Sequence, residues 1–290
     1  MTQTPRQSSA ASGRWLAPVL LLTFLAAGGC ALWQVTKPAP EAAPPPVTTT
    51  SGQSPHASKD VYRSCIYGGL PKTAQDLKLL QNKGYLVGYS EKHKDPAWVA
   101  YRLFKVEHPP TLPRPTKFSL DVRTLARVKT SDYDKTGYDR GHMAPNHAIA
   151  TRYGEDAQTE TFLMSNICPQ KPNLNRKAWE HLEATEADDC ANRFEEIWVI
   201  DGPIFDDSPE KLPAGVDVPR AFFKILVDEV AGRPRMLAFI MPQGVKGDEK
   251  PRAFLTSVQE IEKETGLDFF SDLPKEEEQK LEAEIAKEMW

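Results

Sequence analysis

The sequence predicts an α+β fold, and three observations predict it. Short runs of β-branched and aromatic residues recur along the chain: GYLVGYS at 84–90, AWVAYRLFK at 97–105, then IWVIDGPIF, AFFKILV and RMLAFIMP. Helical patterning is confined to separate stretches, the clearest being AFLTSVQEIEKETG. The connections are irregular and partly proline-rich, and strands and helices mixed in this way point to α+β. With 290 residues, 40% apolar and 26% charged, the chain is long enough for one large domain or two small ones, and no internal repeat is apparent.

The N-terminus reads as a targeting or anchoring element. Residues 1–14 carry Arg6 and Arg14 and no acid, and residues 15–35 then run without a charge. That length suits a membrane-spanning helix. It also suits a signal peptide ending in the lipobox-like AAGGC, with Cys30 acylated, although Ala27 stands where lipoboxes favour leucine. Trp15 and Trp33 flank the run as interfacial aromatics do, which suits a retained anchor. Both readings stay open. Both make the rest of the chain exported and tethered to a membrane, on the periplasmic or cell-surface side. A mitochondrial presequence with an anchor fits less well, because arginine is sparse here. Residues 36–58 form a spacer rich in Pro, Thr and Ser that cannot build a core, so the folded domain is expected over 59–274.

Within that domain, 84–90 and 97–105 are expected as strands joined by a hairpin connection, EKHKDP. The segment HPPTLPRPTKF, 108–118, is too rich in proline for a helix or a central strand and is expected as an extended loop. A loop DRGHMAPN at 139–146, a helical stretch and a short apolar segment FLMSNI follow, then a helix over 175–190 opened by PNLN. Three more strands precede the helix AFLTSVQEIEKETG, which stops at Gly266. The last sixteen residues, 275–290, carry six Glu against three Lys and read as a solvated acidic helical tail. Besides Cys30 the cysteines are Cys65, Cys168 and Cys190, with no zinc-type spacing. An oxidising compartment allows a Cys65–Cys190 disulfide, with Cys168 left buried beside the site.

The net charge of −4 and pI near 5.9 give no global basic signature. This speaks against a tight stoichiometric nucleic-acid binder more than against an enzyme, which needs only local positive charge and must release its product.

Two segments carry chemistry. DRGHMAPN sets Arg140 and His142 on either side of Gly141, where backbone can approach a ligand closely. SNICPQKPNLNRKAWEHLE, 165–183, supplies Asn166 and then Asn175, Trp179 and Glu183 at i, i+4 and i+8, on one helical face. Imidazole, guanidinium, amide oxygen and carboxylate are the parts needed to cut a phosphodiester with a hard metal ion. Each also has a plainer reading: a surface histidine, an asparagine helix cap, an exposed glutamate, and Trp179 as a core residue.

Together the two segments closely resemble the DNA/RNA non-specific endonuclease family, one of the ββα-metal nucleases. The order DRGHMAPN, SN-x-x-PQ and N-x-x-x-W-x-x-x-E is specific. The likeness extends over roughly 84–273, through WVAY, GPIF, VPRAFFK and TGLDFF. It implies a central antiparallel sheet with packed helices and a ββα-metal motif bearing the site. It also implies His142 as general base, Asn175 as ligand of one Mg²⁺ for which Mn²⁺ may substitute, and Glu183 holding metal-bound waters. Arg140 and Arg114 become clamps on phosphate and transition state; Arg123 competes with Arg114 for the upstream position. Asn166 matches a position that supports the base or the phosphate. Asp139 is expected to orient its loop, through Arg140 or backbone N–H groups, and His147 lacks the context of a catalytic residue.

The activity so implied is metal-dependent, sugar-non-specific endonucleolytic hydrolysis of DNA and RNA leaving 5′-phosphate ends, with contacts to phosphate and sugar rather than to bases. Two other classes remain open: a non-catalytic surface nucleic-acid receptor, and a phosphodiesterase acting on small nucleotides. Some relatives in the family are dimers, so a homodimer is open too. Positive neighbours (Arg140, Arg114 and the metal) disfavour imidazolium, so His142 is expected to have a lowered pKa, partly opposed by Glu183.

Overall fold

A computed structural model describes residues 64–290. The anchor, the spacer, Cys30 and the expected domain start at Lys59 lie outside the described residues. In chain order the elements are β1 (Lys72–Thr73), β2 (Lys78–Asn82), β3 (Tyr85–Ser90), β4 (Asp95–Phe104), β5 (Asp139–His142), α1 (Asn146–Glu160), β6 (Ile167–Gln170), and α2 over residues 174–194. They continue as β7 (Glu196–Ile204), β8 (Ala221–Val230), β9 (Arg233–Pro242), β10 (Leu255–Thr256), α3 (Val258–Thr265), β11 (Leu267–Asp268) and α4 (Lys275–Ala283).

Seven strands form one antiparallel sheet in the order β10-β9-β8-β7-β4-β3-β2. Side chains alternate between its faces, so the long apolar strands feed two cores. Tyr85, Val87, Val99, Tyr101, Val199, Phe222, Leu226 and Phe239 pack on one face, with Ala148 and Ile149 of α1 and Trp179 and Leu182 of α2. Leu86, Trp98, Ala100, Ile200, Phe223, Ile225 and Ala238 pack on the other, with Val258 and Ile261 of α3 and with Phe269 and Phe270. The expected α+β class and antiparallel sheet are therefore the observed ones. A smaller cluster of Val128, Tyr133, Met164, Ile167, Leu212, Val216 and Val218 supports the separate two-stranded pair β5–β6.

Several expectations need correction. DRGH is a strand, not a loop: Asp139, Arg140, Gly141 and His142 pair with Gln170, Pro169, Cys168 and Ile167. The segment AFLTSVQEIEKETG is not one helix: Ala253 and Phe254 end a short 3-10 turn, Leu255–Thr256 pairs with β9, and the α-helix begins only at Val258. Ser257 then caps α3 by accepting from Glu260 N, and Gly266 ends it at φ 69°, a left-handed conformation that favours glycine. Among the described residues Cys65, Cys168 and Cys190 are free thiols, and Cys65 and Cys190 belong to different cores, so the Cys65–Cys190 disulfide is not formed. Among the described residues no helix is long and apolar enough to cross a membrane.

The acidic tail is docked rather than solvated. In α4, Glu278 and Glu282 are buried, and Lys275 Nζ lies 3.0 Å from Glu278 Oε2. Burial, with Glu262 and Glu278 nearby, pushes the Glu282 carboxyl up to about 8. Ala286, Met289 and Trp290 follow and pack against the first core. Trp290 meets Phe194 edge-on at 5.5 Å, and the Arg235 guanidinium lies 4.6 Å from its ring. Trp290→Ala is expected to cost about 1–2 kcal/mol of unfolding free energy, the scale of one aromatic pair plus one exposed cation–π contact. Urea denaturation measures this, and an unchanged midpoint would mean that the tail is not held.

Candidate active site

The β5–β6 pair, α1 and α2 frame a cleft of about 490 Å³ whose lining includes Arg114, Arg140, His142, Asn175 and Glu183. Five of the six residues singled out from the sequence thus share one cleft. The sixth, Asn166, does not line it.

His142 ends β5 and is buried. The hairpin closes tightly around it: a Cβ on Gly141 would run into the side chain of Gln170, which is itself fully buried, so a larger residue there would have to displace that amide. Phe162 meets the imidazole edge-on at 4.8 Å and Phe118 lies 5.4 Å away. His142 Nε2 is shielded and has no hydrogen-bond partner. Burial first, and the positive charge of Arg114 second, push its pKa down to about 3. The ring is a neutral imidazole with an uncommitted nitrogen, the state a general base requires.

The arginines differ in how they are held. Arg140 donates from Nε and Nη2 to Thr130 O, pairs with Asp134 and lies over the Tyr133 ring, so its direction is fixed by the segment before β5. Arg114 is exposed in the proline-rich segment, which has no regular structure as expected, and its guanidinium lies 5.3 Å from the Phe162 ring. Backbone bonds from Ser119 N to Phe162 O and from Met164 N to Ser119 O pin the end of that segment. Arg123, the competing candidate, is committed elsewhere: it holds Asp121, Gln81 O and Asn82 Oδ1.

Asn175 lies near the start of α2, but it is no cap. Its Nδ2 donates to Asp139 Oδ2 at 3.1 Å, which leaves the amide oxygen uncommitted. Arg176 grips both oxygens of the same carboxylate. Asp139 thus orients Asn175, through α2 and not through Arg140 as expected. Glu183 lies two turns along α2. Burial holds its carboxyl well above the usual carboxylate range; Lys224 and the Trp179 indole oppose this, while Glu186 and Asp201 add to it. Its Oε1 is shielded and has no hydrogen-bond partner.

Helix α2 is not a regular α-helix. Wide π-type turns at Leu174–Trp179 and Thr185–Cys190 bracket the α-helical segment Glu180–Ala184 that carries Glu183. Such turns are frequent at functional sites. Trp179 is a core residue, with its ring 5.8 Å from Phe222. Asn166 is fully buried: its Oδ1 accepts from Ala144 N, and its Nδ2 donates to Ala144 O and Thr161 O. It fixes the chain just after His142 and does not itself line the cleft. His147 does reach the cleft wall, where it is exposed and bonded to Asp188.

The residue that sequence reasoning missed is Lys224. It is fully buried on β8, with Nζ 3.1 Å from Glu186 Oε2, 3.1 Å from Asp201 Oδ2 and 3.0 Å from Tyr101 Oη, and 4.5 Å from the Trp179 ring. Burial alone would discharge it, but Glu186, Asp201 and Glu183 hold it well above the usual ammonium range. The available signal was a lone lysine in AFFKILV, two residues from Phe222 and Leu226 and so on the same face. A charge at an inward position must be paired.

Among the described residues no three His, Cys, Asp or Glu side chains converge into a metal cage. The donors that the cleft offers are instead the uncommitted amide oxygen of Asn175 and the carboxyl of Glu183, both lining it. Few protein ligands of this oxygen type suit a hard, hydrated Mg²⁺ or Mn²⁺.

Comparison with known proteins agrees with this geometry. Residues 68–276 match the DNA/RNA non-specific endonuclease family. The chain is 30% identical over 243 residues to the mitochondrial nuclease EXOG of Danio rerio, covering 78% of this chain and 69% of that protein. It is 30% identical over 225 residues to human mitochondrial endonuclease G, covering 71% and 72%, and 31% identical over 231 residues to nuclease C1 of Cunninghamella echinulata var. echinulata, covering 72% and 88%. A crystal structure of the EndoG/EndoGI complex, described as the mechanism of EndoG inhibition, superposes with a TM-score of 0.67 at 25% identity, covering 76% of this chain and 96% of that one. Enzymes of the family are typically metal-dependent.

The lowered His142 pKa has a definite sign. The folded chain binds no proton at His142 until the pH nears about 3, whereas an unfolded histidine takes one up near 6.5. The base therefore stays available through mildly acid pH, and stability falls as pH drops through that window, because the unfolded state gains the proton first. NMR titration is expected to show His142 as neutral imidazole down to about pH 5. A midpoint at the ordinary value would contradict the buried, cation-flanked ring.

Proposed function

We propose, from the premise that the chain belongs to the DNA/RNA non-specific endonuclease family of phosphodiester hydrolases, that it is a metal-dependent, sugar-non-specific endonuclease with His142 as its base. One observation carries this reading: a neutral, buried imidazole with an unpartnered Nε2 shares its cleft with two arginines, an uncommitted amide oxygen and an unpartnered carboxylate.

In this mechanism Arg140 and Arg114 draw a backbone phosphate into the cleft, and their charge serves any base sequence alike. His142 takes a proton from the attacking water. Asn175, oriented by Asp139, would hold a divalent ion, and Glu183 would hold the waters bound to it. Such an ion, when bound, polarises phosphate oxygens and stabilises the leaving 3′-oxygen. Phe162 and Phe118 keep solvent from the imidazole, so that its proton comes from the reacting water.

We further propose that residues 1–58 tether the domain to a membrane after export, by a lipid on Cys30 or by a retained helix over 15–35. Cys30→Ser decides between them. Release into the soluble fraction or accumulation of unprocessed precursor supports acylation, and unchanged size and fractionation support the helix.

Plasmid nicking tests the activity. His142→Ala should lose about 10²–10⁴-fold or more in turnover, the scale of general-base removal, with little change in DNA affinity. Nicking within tenfold of the parent, or about one power of ten, would refute the assignment. EDTA should abolish activity, and Asn175→Ala should raise the Mg²⁺ requirement, with partial recovery at high Mg²⁺ or with Mn²⁺. Binding without nicking would instead indicate a receptor, and hydrolysis confined to small nucleotides a phosphodiesterase.

A further inference from the structure

We propose that Lys224 is a positioning residue for the metal site: its buried ammonium grips α2 on both sides of Glu183 and so fixes how Asn175 and Glu183 face the cleft. The proposal rests on the metal-dependent reading above.

The grip is visible in the contacts. Trp179 lies one turn before Glu183 and offers its ring face to Nζ at 4.5 Å. Glu186 lies one turn after it and binds Nζ through both oxygens, at 3.1 and 3.2 Å. On the sheet side, Asp201 of β7 and Tyr101 of β4 complete the shell, and Tyr101 Oη also donates to Glu186 Oε1 at 2.7 Å. One ammonium thus ties three adjacent strands to the helical turn that carries Glu183.

Stability alone does not account for a charge at this position. Phe222 and Leu226, two residues to either side on the same face, are fully buried apolar side chains. An apolar residue at 224 would continue that core, and buried ion pairs are often no more stabilising than apolar side chains of similar volume. What hydrogen bonds add is direction. Helix α2 needs a directional anchor, because the wide turns flanking Glu180–Ala184 alter the angular step between residues, and ordinary helical geometry no longer sets where Asn175 points relative to Glu183. The charges point the same way. Glu183, Glu186 and Asp201 surround one lysine; Glu186 and Asp201 are bonded to it, and Glu183 keeps an unpartnered oxygen at the cleft wall.

The test separates positioning from mere stability. Lys224→Met combined with Glu186→Gln and Asp201→Asn removes the three bonded charges of the node together and leaves Glu183 itself unaltered. Calorimetric titration with Mn²⁺ alone, on a variant shown to be folded by circular dichroism, reads the metal site without activity. The expected result is Mn²⁺ affinity weakened about 10–100-fold, the range found when outer-shell partners of a metal site are removed. The plasmid KM should be unchanged, with nicking partly restored at high Mn²⁺. Wild-type Mn²⁺ affinity in the folded variant overturns the proposal. If the triple variant does not fold, Asp201→Asn alone decides, since it loosens the ammonium from the sheet: weakened Mn²⁺ binding supports the proposal and unchanged binding overturns it. Failure of the parent protein to bind Mn²⁺ would overturn the metal-dependent reading itself, and this inference with it.

Discussion

The interaction on which the rest of the structure depends is the buried contact of Lys224 with Glu186, Asp201 and Tyr101. It joins the centre of the sheet to α2, the helix that carries both Asn175 and Glu183. Breaking such a pair by removing one member typically costs about 3–5 kcal/mol, because a charge is left buried without its partner. That is a sizeable share of the roughly 5–15 kcal/mol by which a domain is stable. The node is therefore intolerant of losing its lysine alone, and its bonds tie a helix with irregular turns to the sheet. The β5–β6 pair carries a second constraint: a side chain at Gly141 would displace the buried Gln170. His142 comes from one constrained element and the proposed metal donors from the other.

The electrostatics of the cleft are local, not global. A chain of net charge −4 lines its cleft with Arg114, Arg140 and Arg176. Arg176 is paired with Asp139 and Arg140 with Asp134, so among the described residues Arg114 is the arginine of the cleft that carries no ion pair. The same arginine that attracts phosphate also keeps the base usable, since Arg114 adds to burial in holding His142 neutral. Substrate attraction and base availability thus share one charge, and Phe162 lies beside both side chains.

Much of this was legible in the sequence, for physical reasons. Nearly continuous apolar runs such as GYLVGYS and AFFKILV announce strands buried on both faces, and Asn175 and Glu183 both reach the cleft while Trp179 between them turns into the core. What was not legible depends on distant partners. DRGH has little strand character by itself and becomes a strand only because Ile167–Gln170 lies beside it. The tail, with six Glu among its sixteen residues, reads as solvated until Trp290 meets Phe194 and Arg235. Asn166 reads as a site residue because it stands in a chemical motif, yet all its bonds go to backbone. Lys224 was legible in principle, as a charge at an inward position, but its partners come from three separate elements.

Anomalous scattering from crystals soaked in Mn²⁺ tests the central claim most directly. The account predicts a manganese peak in the cleft, with Asn175 Oδ1 as its direct protein ligand and Glu183 reaching it through water. A peak confined to another acidic surface, or an ion bound in the cleft without Asn175, would contradict it.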